Sequence, residues 1–490
     1  MRAQWFSMAG VVLLLTACPR SAPPTDLAAP PVDAGTTEAE RLGPKVDALE
    51  QEVALVVQRV DEALWQHWTA GAPLDLPAAT RGHEALFSKE SLATLRKART
   101  LRPQDDERLE HLTRWLAGEL LARGVAAESE ALANLEASTT FTVDGKEFAF
   151  RDLNKLLVSE KSAVKRRALW TASHAAALRL DAAIARRDEK LKEVLAAYDL
   201  GAPLDFEAST RQLDLDVLHQ EADETLTRTE AEWKATLQAL ADADVKLPLT
   251  ALTRGDLPRL LKVPAALDAE FPRAKIAARA LQTLGTLGGY GQPGLTLDLA
   301  EAAKKNPLPL TVAPTPLDVR VSVRPLGGLR DQQLVLSELG AALALHRARA
   351  LPFARARLEN PVVALRGSEL FATLLTEEKW LAANEVGQRD AVIAAARAQH
   401  LFALRRAASV VLAKLDTWPL ADEAEARAKF VAVMARATAL TLSPEEGARW
   451  RLETDDFLRS ATQLQAMLRA EQWQGQLGEE WWTKPLPSSP

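Results

Sequence analysis

The chain has 490 residues, 47% of them hydrophobic, and a formal net charge of −6 with acidic and basic residues interleaved. That length and apolar content suffice for a substantial core, and the absence of a basic stripe interleaved with aromatics excludes a nucleic-acid-binding surface. One cysteine, Cys18, leaves no internal disulfide to form, so stability must come from packing.

Arg2 gives a short positive start, and Trp5 to Leu15 form an apolar stretch of signal-peptide length, too short to span a bilayer as a permanent helix. It runs into Leu15-Thr16-Ala17-Cys18, which resembles the lipobox of bacterial lipoproteins. There a small residue before the cysteine lets the cleaving peptidase fit the backbone, and the thiol is alkylated by a diacylglycerol donor. The resemblance implies a signal peptide over 1–18 and attachment to a lipid membrane through acylated Cys18. Residues 19–37 read as a semi-rigid tether, because Pro19, Pro23, Pro24, Pro30 and Pro31 favour extended backbone. The expected address is the cell envelope. Pro19 is not the aspartate associated with inner-membrane retention, which favours the outer membrane, on its periplasmic or surface face.

Residues 38–490 read as an all-α, mainly helical domain with a few short strands. Apolar residues recur at helical spacing over 46–68, 106–135, 162–197, 215–243 and 389–415. Ser162 is a predicted N-cap, and Ser443-Pro444-Glu445-Glu446 predicts a cap, a first-turn proline and first-turn acids. Residues 140–150 alternate around Asp144-Gly145, a hairpin signal, and Asp318 to Arg324 alternate as a strand. The arginine pairs Arg166-Arg167 and Arg405-Arg406 read as solvated helix faces and ion pairs.

After the second strand, Val323 to Gly328 form a turn and Asp331 starts a helix carrying Ser337, Glu338, Gly340, Ala341, Ala342 and Leu343. The layout resembles that of gluzincin metallopeptidases related to oligoendopeptidase F, thimet oligopeptidase and angiotensin-converting enzyme, whose helix bears H-E-x-G-H-A-L. The glutamate and glycine are present. Both histidines are replaced, by Ser337 and Ala341. Further segments match in order: Lys165 to Trp170, Val362 to Leu381, Phe457 to Ala466, and the closing Gly478-Glu-Glu-Trp481-Trp482. Aligning Gly367 on the glycine of the third-ligand helix puts Arg366 at the ligand position; Glu369, one turn on, is the alternative. The tyrosine and arginine that the family brings to substrate correspond to Gln463 and Gln465, and the chain has only two tyrosines, Tyr198 and Tyr290.

Two histidines at i and i+4 would converge on zinc from one helical face, with the glutamate over the metal-bound water. Ser337 is a poor ligand, Ala341 has no donor atom, and without a metal Glu338 has no activated water to deprotonate. None of His67, His83, His111, His174, His219, His346 and His400 lies three or four residues from another. No catalytic residue, metal or other cofactor is therefore expected. The resemblance implies a two-lobed scaffold, approximately 38–200 and 201–490, around a channel. It implies a membrane-tethered pseudo-metallopeptidase that holds a peptide or protein partner in its cleft. An active zinc-type oligopeptidase with an atypical site and a structural helical lipoprotein are the alternatives.

Overall fold

The computed structural model describes residues 37–487 apart from 290. Cys18, the signal segment, the tether as far as residue 36, and Tyr290 lie outside the described residues. The expected helical class holds, with only short strands between helices. No helix among the described residues is long and apolar enough to cross a membrane.

Helix α1, Glu38–Ala70, opens on a capping box between Thr37 and Glu40 and closes on Gly71 in the left-handed conformation. With α2, Lys89–Leu101, and α3, Asp106–Gly124, it buries Val46, Val53, Leu92, Leu95, Leu109 and Leu116. The pattern over 106–135 predicts one helix, but the structure breaks it at Val125, ahead of α4, Ala126–Ser138. Gly124 ends the first of the two and is needed for the close approach to Val194, since a Cβ at that residue would lie 2.6 Å from one of its methyl groups. Strands β1, Thr140–Val143, and β2, Lys146–Ala149, form the predicted hairpin, turning through Asp144 and Gly145 at φ 50 and 74. Helix α5, Ala163–Ala197, starts where Ser162 accepts the Lys165 N–H.

Helices α6, Leu215–Arg228, and α7, Glu230–Asp244, replace the single helix predicted over 215–243. After α8, Arg273–Thr286, come β3, Leu295–Asp298, β4, Leu310–Thr315, and β5, Asp318–Ser322. They form a three-stranded sheet in the order β3-β5-β4, with β5 parallel to β3 and antiparallel to β4. The remaining long helices are α9, Leu329–Arg347, α10, Val362–Ala372, α11, Arg389–Thr417, α12, Glu423–Thr438, and α13, Arg459–Leu477. Ser443 precedes a 3-10 segment, Pro444–Arg449, and its side chain does not cap it.

The break between α6 and α7 has a chemical cause on α11. Arg405 is 1% exposed. It donates to the Leu226 carbonyl (2.8 Å) and the Thr229 hydroxyl (2.6 Å) at the end of α6, and to the Ala437 (2.8 Å) and Arg436 (2.7 Å) carbonyls at the end of α12. One guanidinium thus satisfies the final carbonyls of two helices, where its charge also suits the negative end of each dipole. This corrects the expectation of a solvated or ion-paired Arg405. Arg166 differs from expectation in burial only: fully enclosed, it pairs with Asp256 at 2.7 Å and also donates to the Glu160 and Lys161 carbonyls.

Asp256 is equally committed, accepting from the Thr253 N–H and hydroxyl. Removing one member of a buried ion pair strands the other charge, so Asp256→Ala should destabilise the protein by about 3–5 kcal/mol. Chemical denaturation checks this, and a cost below about 1 kcal/mol would contradict the pairing.

His174, buried on α5 with its ring edge-on to Trp170, has no hydrogen-bond partner at either ring nitrogen. Burial, reinforced by Arg449 and Arg254, pushes its pKa down from 6.5 to about 4. The folded state therefore holds the neutral ring, whereas the unfolded chain takes up a proton below its ordinary pKa. The contribution to stability is complete above about pH 6.5 and drains away as the pH falls towards 4. A His174→Leu variant should show an acid limb shallower by up to one proton in denaturation midpoints measured across that window. An unchanged slope would count against the assignment.

Candidate functional site

The sheet leads into α9 through Gly327 and Gly328, both at positive φ (98 and 101). Glycine is required at the second position, because a Cβ on Gly328 would lie 2.8 Å from the Asp268 carboxylate. That carboxylate accepts the Leu329 N–H at 3.0 Å, while Asp331 reaches back to the N–H groups of Leu326 (2.7 Å) and Gly327 (2.9 Å). The helix thus begins at Leu329, two residues before the expected start, and Asp331 clamps its first turn. Strand β4 lies against α9, with the Thr311 hydroxyl donating to the Glu338 carbonyl at 3.1 Å.

The residues singled out in the sequence fall around one helix crossing. Gly340 of α9 and Gly367 of α10 face each other with no side chain between them. A Cβ on Gly367 would lie 2.5 Å from the Gly340 carbonyl oxygen, and one on Gly340 would sit on the Gly367 carbonyl. The two glycines aligned from the gluzincin motifs are therefore in backbone contact. Ser337 is half-buried, Glu338 is 8% exposed and Ala341 is 1% exposed.

Helix α10 packs on α13 as well, and its polar residues turn that way. The Arg366 guanidinium lies 4.7 Å from the centre of the Trp473 ring. Burial, with Arg469 adding repulsion, lowers its pKa from the ordinary arginine value. Glu369 accepts a short hydrogen bond from the Gln463 amide. Burial raises the Glu369 pKa, against the opposing pull of His400 and Gln463. His400 in turn contacts Glu471 at 3.4 Å. Burial alone would lower the His400 pKa, but the Glu471 hydrogen bond and the charges of Glu369 and Glu471 outweigh it and raise it. Gln465, two residues from Gln463 and hence on another face of α13, is buried. Glu369 and Gln463 are singled out separately in the sequence, but their grouping with His400 and Glu471 is not. Its only signal there is Gln463 and Glu471, two turns apart on α13.

Zinc ligation at the crossing fails on donor chemistry, since Ser337, Ala341 and Arg366 supply neither a histidine nor a carboxylate. Elsewhere among the described residues, atoms of Glu107, His111 and Glu359 come within 4.8 Å of one another. This trio does not fit a metal either. His111 Nδ1 takes a hydrogen bond from Arg114, so a neutral ring carries its proton on Nε2 and has no free lone pair to offer. Arg355, 3.4 Å from Glu107, adds a second competing cation. Two surface grooves of about 710 and 570 Å³, one between α4 and α5 and one beside the hairpin, do not touch the helix crossing.

No protein-family model matches the chain, and no curated protein matches it by sequence. The fold does have a solved counterpart. A crystal structure of a protein from Chlamydophila abortus, provisionally assigned as a peptidase, superposes with a TM-score of 0.64, covering 92% of this chain and 84% of that one at 11% identity. The fold is peptidase-like. Sequence identity this low conveys architecture and no chemistry, so any functional reading depends on the residues at the crossing of this peptidase-like scaffold.

Proposed function

We propose that this chain is a lipid-tethered, zinc-free relative of the gluzincin peptidases that holds a peptide or partner segment at the cell envelope. One observation supports the reading: Gly340 of α9 and Gly367 of α10 are in backbone contact, and the positions beside them that the gluzincin resemblance assigns to ligands hold Ser337, Ala341 and Arg366. Glu338 then has no metal-activated water to serve. What the scaffold keeps is the means to bind, and the interface of α10 with α13 supplies polar groups for it.

The purified chain is expected to contain no stoichiometric zinc and to show no chelator-sensitive cleavage of a mixed peptide pool. One zinc per chain together with such cleavage would establish an active peptidase and overturn the proposal. The tether is tested separately: Cys18→Ser should lose the lipid label and leave the membrane fraction.

A further inference from the structure

Where α10 packs on α13, two side chains in contact each carry a buried N–H donor that meets no acceptor among the described residues. Arg366 Nε and Trp473 Nε1 are both enclosed without a hydrogen-bond partner among the described residues, although the guanidinium stacks 4.7 Å from the indole centre. Arg469, one turn before Trp473 on α13, is exposed and adds a second positive charge to the same locality. The nearest acid on α10, Glu369, is engaged by Gln463.

An unmet guanidinium nitrogen recurs elsewhere, at Arg166, Arg187 and Arg449 among others. But Arg166 keeps Asp256, Arg187 keeps Asp455 and Arg449 keeps Ser173, whereas Arg366 has neither a hydrogen bond nor an ion pair among the described residues. A buried donor left unmet costs about 1–3 kcal/mol, so two together, beside two cations and no carboxylate, favour an anionic acceptor. Stacking on Trp473 holds the guanidinium plane in place, which suits recognition of a flat, two-oxygen group.

We propose that Arg366, Trp473 and Arg469 form a recognition site for a carboxylate of the bound peptide, either its C-terminal carboxylate or an aspartate or glutamate side chain. This site rests on the peptide-binding reading above and sharpens it. On the alignment that pairs Gly367 with the glycine of the third-ligand helix, Arg366 takes the position of a metal-binding glutamate, which would invert its polarity from acid to base.

The test uses the full chain in detergent and an equimolar pool of N-acetylated pentapeptides made with free and with amidated C termini. Affinity selection and mass spectrometry read the retained fraction. Free-acid peptides, or those with internal aspartate or glutamate, should be retained at least tenfold over neutral amides, and which of the two is enriched identifies the carboxylate. Arg366→Gln should abolish that preference, bringing retention of the acidic peptides to the level of the neutral amides. Trp473→Phe, which removes one N–H and keeps a ring, should weaken it threefold or more, and carries the test if Arg366→Gln does not fold. Retention without acid preference, or a preference that survives both substitutions, overturns the site while leaving peptide binding standing. Retention of no peptide at all overturns both.

Discussion

Gly340→Ala is expected to cost about 3 kcal/mol, a large share of the stability of any domain. The added methyl group would not enter a space lined by side chains that can rotate away. It would meet the carbonyl oxygen of Gly367, part of a helix backbone that moves only with the whole of α10. Gly367→Ala is equivalent, with its Cβ 2.5 Å from the Gly340 carbonyl. The two substitutions share one contact, so the double variant should cost less than the sum. Gly475→Ala on α13, where an added Cβ meets nothing within 4 Å, is the control. It should stabilise by up to about 1 kcal/mol, because alanine is the better helix former. Urea denaturation midpoints separate these outcomes. A Gly340→Ala cost no greater than an ordinary surface change would mean that α9 and α10 do not touch.

On the proposed ancestry, placing ligands at the three aligned positions is expected to create a zinc site. In a Ser337→His, Ala341→His, Arg366→Glu variant, two histidines one turn apart on α9 and a carboxylate on α10 should bind one zinc per chain, at about micromolar affinity or tighter. The histidine at 341 has to enter a position only 1% exposed, and such overpacking costs about 1–3 kcal/mol. Zinc at a hundred times its dissociation constant returns about 2.7 kcal/mol, so the variant should melt lower than the parent without zinc and recover most of the loss with it. The parent chain should show no zinc-dependent shift. A restored variant that neither binds zinc nor gains stability from it would show that Ser337, Ala341 and Arg366 do not converge, which removes the ancestry argument from the proposed function.

The features legible in the sequence were those with local causes. The Ser162 cap, the Asp144-Gly145 turn, the Gly327-Gly328 turn and the apolar periodicities over 46–68, 162–197 and 389–415 are found in place. The Ser443 cap, though local, is not made, and the two helices read as continuous are broken by partners far along the chain. Nothing near 229 announces a helix end, since the group that occupies the freed Leu226 carbonyl is Arg405, 179 residues away. The helix through 125 breaks beside Val194, on α5. At the candidate site the glycines were legible because close backbone approach leaves only one residue type possible. The Glu369–Gln463–His400 grouping was not, because three separate helices contribute to it and none carries a recognisable spacing.

Helix α1 bears on where the site stands in the cell. Asp61 of α1 accepts the Ala313 N–H of β4 at 3.0 Å, and Trp68 donates to the Leu308 carbonyl at 2.6 Å, so the far half of this helix is fastened to the strand that abuts Glu338. Its other end, Glu38, is where the proposed tether arrives. The 23 residues between Glu38 and Asp61 rise ~35 Å along the helix axis, which makes α1 a rigid spacer as well as a core element. On that geometry α1 sets the distance between Glu38 and the edge strand β4, and a pull on the proposed anchor would be delivered along α1 to that strand.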